Sequence, residues 1–274
     1  MAAKSLGFSG LTIRSSRDRF AVSRTPSRIV RSGLTQALAP KISMTALVVL
    51  PGLDGTATMH SEFAGAIGTA FDSVAVIPYP TNQSLDYVAL EKLVRTSLPS
   101  VEPFVLLGES FSGPIALSIA ENPPPNLVGL ILSTTFIGSP APFFSPFASF
   151  TRIAPVRALP FRLLSWWLLG RWATPQLETA LQSALLTVTP EVLQFRAATA
   201  LRVKGLPGFR PVSVPVLQLR ATNDRLLSRR SSRQIASAIP HCTTADIAGP
   251  HLLLQAAPQA CAHAVSEFAT RLGC

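Results

Sequence analysis

The stretch Pro103-Phe104-Val105-Leu106-Leu107-Gly108-Glu109-Ser110-Phe111-Ser112-Gly113-Pro114-Ile115-Ala116-Leu117 decides the fold. Its first five residues form a short apolar run of strand length, and Pro114 to Ala120 has a helical composition. Between them lies Ser110, with Gly108 two residues before it and Ser112 and Gly113 after it. This is the G-x-S-x-G pattern of a sharp strand-to-helix corner, which requires small residues on both sides of the serine. Such a turn lifts the serine hydroxyl off the sheet. It also aims the N–H groups at the start of the helix toward the same point. Position 112 is serine where the common pattern has glycine, a substitution small enough for the corner.

Outward from this corner, short apolar runs alternate with helical patterns. Strands are predicted at 46–50, 73–78, 103–107, 127–133, 214–220 and 243–248. Continuous Val/Ile/Leu runs of this length suit a parallel sheet covered on both faces. Helices are predicted at 85–98, capped by Ser84, at 229–239, capped by Ser228, and at 258–271, opened by Pro258 with Gly273 beyond its end. The alternation predicts an α/β fold: a doubly wound, mostly parallel sheet of about six strands. Residues 134–213 interrupt it and are too long for a plain crossover, so they are expected to form an inserted helical cap. Helices are predicted there at 160–171, 175–187 and 190–203, the last announced by Thr189-Pro190-Glu191. The insertion holds Phe143, Phe144, Phe147, Phe150, Phe161, Trp166, Trp167 and Trp172. Phe144 and Trp166 are the candidates for an apolar wall over Ser110. Packing of the aromatics among themselves is the alternative.

Charge is uneven along the chain. Residues 1–43 hold eight Lys/Arg against one acid, a net +7, and the remainder holds 16 against 13, a net +3. The basic balance therefore belongs to the leader. No nucleic-acid-binding pattern accompanies it. The leader lacks the apolar core of a secretory signal. It reads as a disordered transit peptide, or as an extension upstream of a natural start at Met44, and lies outside the expected domain at 44–274. Cys242, Cys261 and Cys274 show no paired spacing, which suits a reducing compartment. The expected location is cytoplasmic, or organellar if the leader is a transit peptide. No uninterrupted apolar run reaches the ~18 residues of a membrane helix. No metal-ligand spacing or phosphate-binding loop occurs, so no cofactor is expected.

A serine nucleophile needs a base, an acid to orient that base, and donors for the developing oxyanion. Among the histidines, His251 follows the last strand in Gly249-Pro250-His251, and its competitor is His241, which precedes that strand. Asp224 follows the strand at 214–220 and is the candidate acid; Asp246, inside the last strand, is its rival. The oxyanion donors are expected to be the N–H groups of Phe111 and of Leu53, in Pro51-Gly52-Leu53-Asp54-Gly55. Asp54 reads as part of an Asp-Gly turn. Arg225, Arg229, Arg230 and Arg233 read either as a solvated basic face or as a site for a phosphate or coenzyme A tail.

With these residues in place, the chain over 44–274 resembles the α/β-hydrolase superfamily, of the serine esterase, lipase and thioesterase kind. The resemblance rests on Pro51-Gly52-Leu53-Asp54-Gly55, Gly108-Glu109-Ser110-Phe111-Ser112-Gly113, Asn223-Asp224 and Gly249-Pro250-His251. The order Ser110, Asp224, His251 is that of the superfamily. Pro51-Gly52 stands where many members have His-Gly, and residues 1–43 offer no credible leading hairpin. The resemblance implies hydrolysis of small-molecule carboxylic esters with apolar short-to-medium acyl groups, through an acyl-enzyme. Thioester hydrolysis or acyl transfer is the near alternative, and a ligand-binding protein with negligible turnover the distant one.

Overall fold

The computed structural model describes residues 12–13, 45–68, 70–140, 160–203 and 211–273. The strands are β1 (Thr12–Ile13), β2 (Ala46–Leu50), β3 (Ser73–Val76), β4 (Phe104–Glu109), β5 (Leu127–Ser133), β6 (Val216–Ala221) and β7 (Cys242–Ile247). They form one sheet in the order β1-β3-β2-β4-β5-β6-β7. All neighbours from β3 to β7 are parallel, and β1 alone pairs antiparallel, on the outer edge of β3. The six parallel strands match the expected sheet. The two-residue β1 was assigned to no strand from the sequence, because two residues carry no readable period.

Alternation along the strands sorts the core into two layers. Ala46, Val48 and Leu50 of β2 and Phe104 and Leu106 of β4 join one cluster. Leu47, Val49, Val105 and Leu107 join the other. The first cluster is completed by helices α2 (Tyr87–Ser97), α3 (Gly113–Glu121) and α7 (Arg229–Ala238). The second is completed by α1 (Ser61–Ala66), α8 (Leu253–Ala256) and α9 (Pro258–Leu272). A fully buried leucine contributes roughly 1.5–3 kcal/mol, so these paired layers supply most of the cohesion.

This topology decides where a ligand can enter. The chain runs from β2 to β3 on one side, then crosses back to β4 on the other. Helix α1, following β2, and α3, following β4, lie on opposite faces, so the loops leaving these adjacent strands diverge. A crevice at the C-terminal ends of the strands is the ligand position of open α/β sheets.

Helix signals carried different weights. Helix α2 starts two residues later than expected: Asp86, rather than Ser84, caps it, its carboxylate accepting the Ala89 N–H at 2.9 Å. A carboxylate three residues before that N–H has the reach of a cap, and Ser84 lies too far upstream. Ser228 precedes α7 as expected but makes no side-chain cap bond. Gly273 ends α9 with a left-handed φ of 78°. Between β5 and β6 lie α4 (Phe161–Leu168), α5 (Pro175–Thr187) and α6 (Pro190–Leu201). Thr174 and Thr189 cap α5 and α6 through their hydroxyls, each ahead of a proline. Phe143, Phe144, Phe147 and Phe150 lie outside the described residues.

Candidate active site

Ser110 follows the last residue of β4 and opens a 3₁₀ turn that leads directly into α3. Its φ is 47°, in the left-handed region that a residue with a Cβ rarely adopts. Such a conformation persists only where its surroundings hold it. A Cβ on Gly108 would meet Ala116 Cβ at 2.7 Å and Ser112 O at 3.0 Å, and one on Gly113 would collide with Thr135. Both glycines are therefore required by close approach. Thr135 Oγ1 donates to the Ser110 carbonyl at 2.5 Å, which fastens the corner to the end of β5.

Ser112 explains its own departure from glycine. It is fully buried, and its hydroxyl donates to the Pro51 carbonyl while lying 2.6 Å from the Tyr79 hydroxyl. The corner is thereby tied to the loop after β2. Phe111 is wedged between two aromatic rings, stacked on Tyr87 at 4.8 Å and edge-on to Tyr79 at 6.5 Å. That packing fixes the residue whose N–H follows Ser110 in the chain.

His251 and Asp224 arrive on the loops after β7 and β6. Those loops are zipped together by Thr222 N–H to Ile247 O at 2.9 Å and Asn223 N–H to Gly249 O at 3.1 Å. His251 Nε2 lies 2.8 Å from Ser110 Oγ, and His251 Nδ1 lies 2.9 Å from Asp224 Oδ2. The other carboxylate oxygen, Oδ1, accepts the Leu226 and Leu227 N–H groups, each at 2.8 Å. Burial would raise the Asp224 pKa, but the His251 charge and these hydrogen bonds outweigh it and hold the carboxyl below its ordinary range. The row can relay a proton from the serine to an imidazole whose tautomer is fixed by a carboxylate.

The rival residues stand elsewhere. His241 is exposed, with Nε2 3.2 Å from the Val214 carbonyl, at the N-terminal end of β7 and the opposite edge of the sheet from Ser110. Asp246 forms a bidentate pair with Arg220 at 2.7 and 2.6 Å. His263 is exposed on α9, 3.4 Å from Glu267.

Leu53 lies in a turn closed by Gly55 N–H to Gly52 O at 3.0 Å. Asp54 caps that turn, its Oδ2 accepting the Thr56 N–H at 2.9 Å. Trp166, on α4, is 52 % exposed and has the Arg225 guanidinium 4.5 Å from its ring centroid. Arg225 also donates to the Trp166 carbonyl at 2.9 Å, so this arginine braces α4 against the Asp224 loop. Leu252 N–H to Leu168 O at 3.1 Å braces the His251 loop in the same way. A cavity of about 450 Å³ lies beside Asp224, between Thr134, Gln218, Arg220, Arg229 and Arg233, and includes neither Ser110 nor His251.

The sequence reading missed one buried pair. Glu109 continues the β4 alternation on the face that carries α1 and α8, where His60 Nε2 lies 2.8 Å from its Oε2 and Gln255 Nε2 donates at 3.4 Å. Burial opposes charge on both His60 and Glu109. Their mutual hydrogen bond and attraction outweigh it, raising the pKa of His60 and lowering that of Glu109. A glutamate inside an otherwise apolar strand was the available signal. Among the described residues no cluster of His, Cys, Asp or Glu has the form of a metal site, and no helix is long and apolar enough to cross a membrane.

Comparison with known families fits this architecture. The family model described as "Serine aminopeptidase, S33" matches residues 84–251, more than half of the chain. The chain belongs to the S33 serine aminopeptidase family of α/β hydrolases. Its match to this S33 family runs from the segment before α2 to His251. No curated protein gives a significant match. A thermophilic esterase from Thermogutta terrifontis, with malate bound, is similar over 84 % of this chain and 91 % of its own, at 19 % identity and a TM-score of 0.70. An esterase from Exiguobacterium antarcticum is similar over 83 % and 92 %, at 14 % identity and a TM-score of 0.70. The enol-lactonase from Burkholderia xenovorans LB400 is similar over 87 % and 94 %, at 16 % identity and a TM-score of 0.65. At these identities the likeness is one of fold.

Proposed function

We propose that this S33-family hydrolase cleaves carboxylic esters of small molecules through an acyl-enzyme on Ser110. The observation that carries the reading is the hydrogen-bonded row Ser110 Oγ, His251 Nε2, His251 Nδ1, Asp224 Oδ2 at 2.8 and 2.9 Å. Ser110 at its strained corner serves as the nucleophile elbow. Its Oγ attacks the ester carbonyl carbon while its proton passes to His251 Nε2. Asp224 holds the Nδ1–H and stabilises the imidazolium that forms. The Phe111 and Leu53 N–H groups receive the oxyanion. Collapse of the tetrahedral intermediate breaks the bond to the alcohol, which takes the proton from His251. Water then attacks the acyl-enzyme with His251 again as base, releasing the carboxylic acid and restoring Ser110.

The names of similar structures, two esterases and an enol-lactonase, support ester chemistry, since a lactone is a cyclic ester. The family description names an aminopeptidase, whose substrate carries an α-ammonium group that needs a carboxylate partner. The acids beside Ser110 are already engaged: Glu109 with His60, Asp54 with Thr56 and Asp224 with His251. That engagement favours a neutral ester over an amino-terminal peptide. The connection between β5 and β6 forms the cap in this reading, with Phe144 and Trp166 as its candidate acyl contacts. Turnover on a graded series of acyl esters and the matching thioesters tests the proposal. The expected result is cleavage of apolar short-to-medium esters, abolished by Ser110→Ala. Faster cleavage of every thioester would move the assignment to thioesterase. Serine labelling by a fluorophosphonate without turnover would make the protein a ligand-binding one.

A further inference from the structure

Arg196 is a buried cation that the catalytic row does not use. It sits on α6, is 1 % exposed, and is the largest fully buried side chain among the described residues. None of its hydrogen bonds goes to a carboxylate. Nη1 donates to the Leu53 carbonyl at 3.0 Å and the Asp54 carbonyl at 2.7 Å, and Nη2 donates to the Pro80 carbonyl at 2.9 Å. Its Nε has no hydrogen-bond partner. An apolar side chain would avoid the desolvation of a charge here, so stability alone does not account for an arginine. What arginine adds is a rigid planar fork that holds several carbonyls at fixed angles.

Those carbonyls belong to the loop that carries the Leu53 N–H. In a four-residue turn such as Gly52–Gly55, two common forms differ by a flip of the central peptide, whose carbonyl here is that of Leu53. A donor on the Leu53 and Asp54 oxygens holds the peptides that carry the Asp54 and Gly55 N–H groups, and the Gly55 N–H in turn bonds Gly52 O at 3.0 Å, which fixes the Gly52–Leu53 peptide and its N–H. Gly55, at φ 69°, leaves the space a Cβ would fill, and the guanidinium occupies it. The enclosure is continuous. Tyr79 N–H donates to Gly55 O at 2.8 Å, the Tyr79 ring lies 5.5 Å from the Arg196 guanidinium carbon, and the Tyr79 hydroxyl meets Ser112 in the corner beside Ser110. Thr189 N–H donates to Thr81 O at 2.9 Å, which pins the start of α6 to the same stretch. We propose that Arg196 is a positioning residue: from α6 it holds the Gly52–Gly55 turn closed, so that the Gly55 N–H to Gly52 O bond steadies the Gly52–Leu53 peptide whose N–H serves the oxyanion, and it thereby couples the β5–β6 connection to transition-state stabilisation. This rests on the ester-hydrolase reading above.

The test uses full-length Arg196→Met and Arg196→Lys, with active sites counted by fluorophosphonate titration. The measurements are kcat and KM on a short acyl ester and inhibition by a trifluoromethyl ketone, which mimics the tetrahedral oxyanion. Loss of one oxyanion donor in other hydrolases costs about 10²–10³ in kcat. A misaligned donor should cost Arg196→Met about 10- to 100-fold in kcat per titrated site, with KM within threefold. Ketone affinity should weaken in proportion to kcat/KM. Arg196→Lys keeps the charge but loses the fork, and should lie between Met and wild type. A merely structural role would lower the titrated fraction or the Tm and leave kcat per site and ketone affinity unchanged, which would overturn the proposal. If Arg196→Met does not fold, Arg196→Lys decides alone. At least a fivefold loss in kcat with weaker ketone binding supports the role; wild-type values, or failure of this variant also to fold, refute it. Absence of turnover in the wild-type protein is the distinct result that sinks the ester-hydrolase reading itself.

Discussion

Replacing Asp224 by Asn separates orientation of the base from mere proximity, and the hydrogen bonds around Asp224 dictate the outcome. In the native carboxylate, Oδ1 accepts the Leu226 and Leu227 N–H groups while Oδ2 faces His251 Nδ1. An asparagine side chain must place its one oxygen where those two donors are, so its NH₂ turns toward His251. The imidazole then accepts at Nδ1 and carries its proton on Nε2, the atom that must take the proton from Ser110. Wrong-tautomer substitutions of this kind cost on the order of 10³–10⁴ in kcat. At 1.36 kcal/mol per factor of ten, that is about 4–5.5 kcal/mol of lost transition-state stabilisation. The shape is conserved, so circular dichroism and Tm should show a folded protein. The assay is kcat on a short acyl ester, normalised to active sites. An Asp224→Asn enzyme within tenfold of wild type would refute the tautomer argument. Collapse of a folded Asp246→Asn variant would transfer the role of the acid.

Ser110→Ala and His251→Ala should each lower kcat by about 10⁴-fold or more, because the two act as one unit, whereas His241→Ala should leave kcat unchanged; steady-state kinetics on pure variants checks all three. The His60–Glu109 pair makes stability depend on pH in a defined way. The lowered Glu109 pKa contributes stability present above its ordinary value of 4.5 and lost as pH falls through the folded value, and the raised His60 pKa contributes stability present below 6.5 and lost as pH rises through the folded value. The Tm advantage of wild type over Glu109→Gln should therefore be greatest between about pH 4.5 and 6.5; an advantage that keeps growing above pH 8 would contradict the ion pair. For the β5–β6 connection, each buried acyl methylene contributes up to ~0.8 kcal/mol, roughly a factor of four in kcat/KM. Trp166→Ala or Phe144→Ala should shift chain-length preference more than activity on acetate esters, and a flat profile unaltered by both would show that neither ring touches the acyl chain.

The sequence was most legible where one physical constraint acts locally. A strand buried on both faces must be a continuous apolar run, so β2, β4 and β5 stand out, and the crowding that demands Gly108 and Gly113 marks the corner at Ser110. Asp224 and His251 were legible from topology, since loops leaving parallel strands meet at one sheet edge. Contacts across distant segments were not legible. Arg196 reads as one more polar residue on a helix until the Leu53 and Asp54 carbonyls are seen around it. Glu109 stands out in its apolar strand, but its partner His60 lies 49 positions away and is not identified until β4 alternation brings the two onto one face. The Asp86 cap was missed for a different reason: Ser84 and Asp86, two cap-type residues two positions apart, compete, and only the backbone path selects one.

Formation of a covalent acyl group on Ser110 can be seen by intact-protein mass spectrometry of enzyme quenched during turnover of an apolar short-chain ester. The expected result is a mass increase equal to the acyl group, mapped by peptide fragmentation to Ser110 and absent from Ser110→Ala. Unmodified enzyme throughout a slow-deacylating substrate's turnover, or an adduct on any other residue, would contradict it.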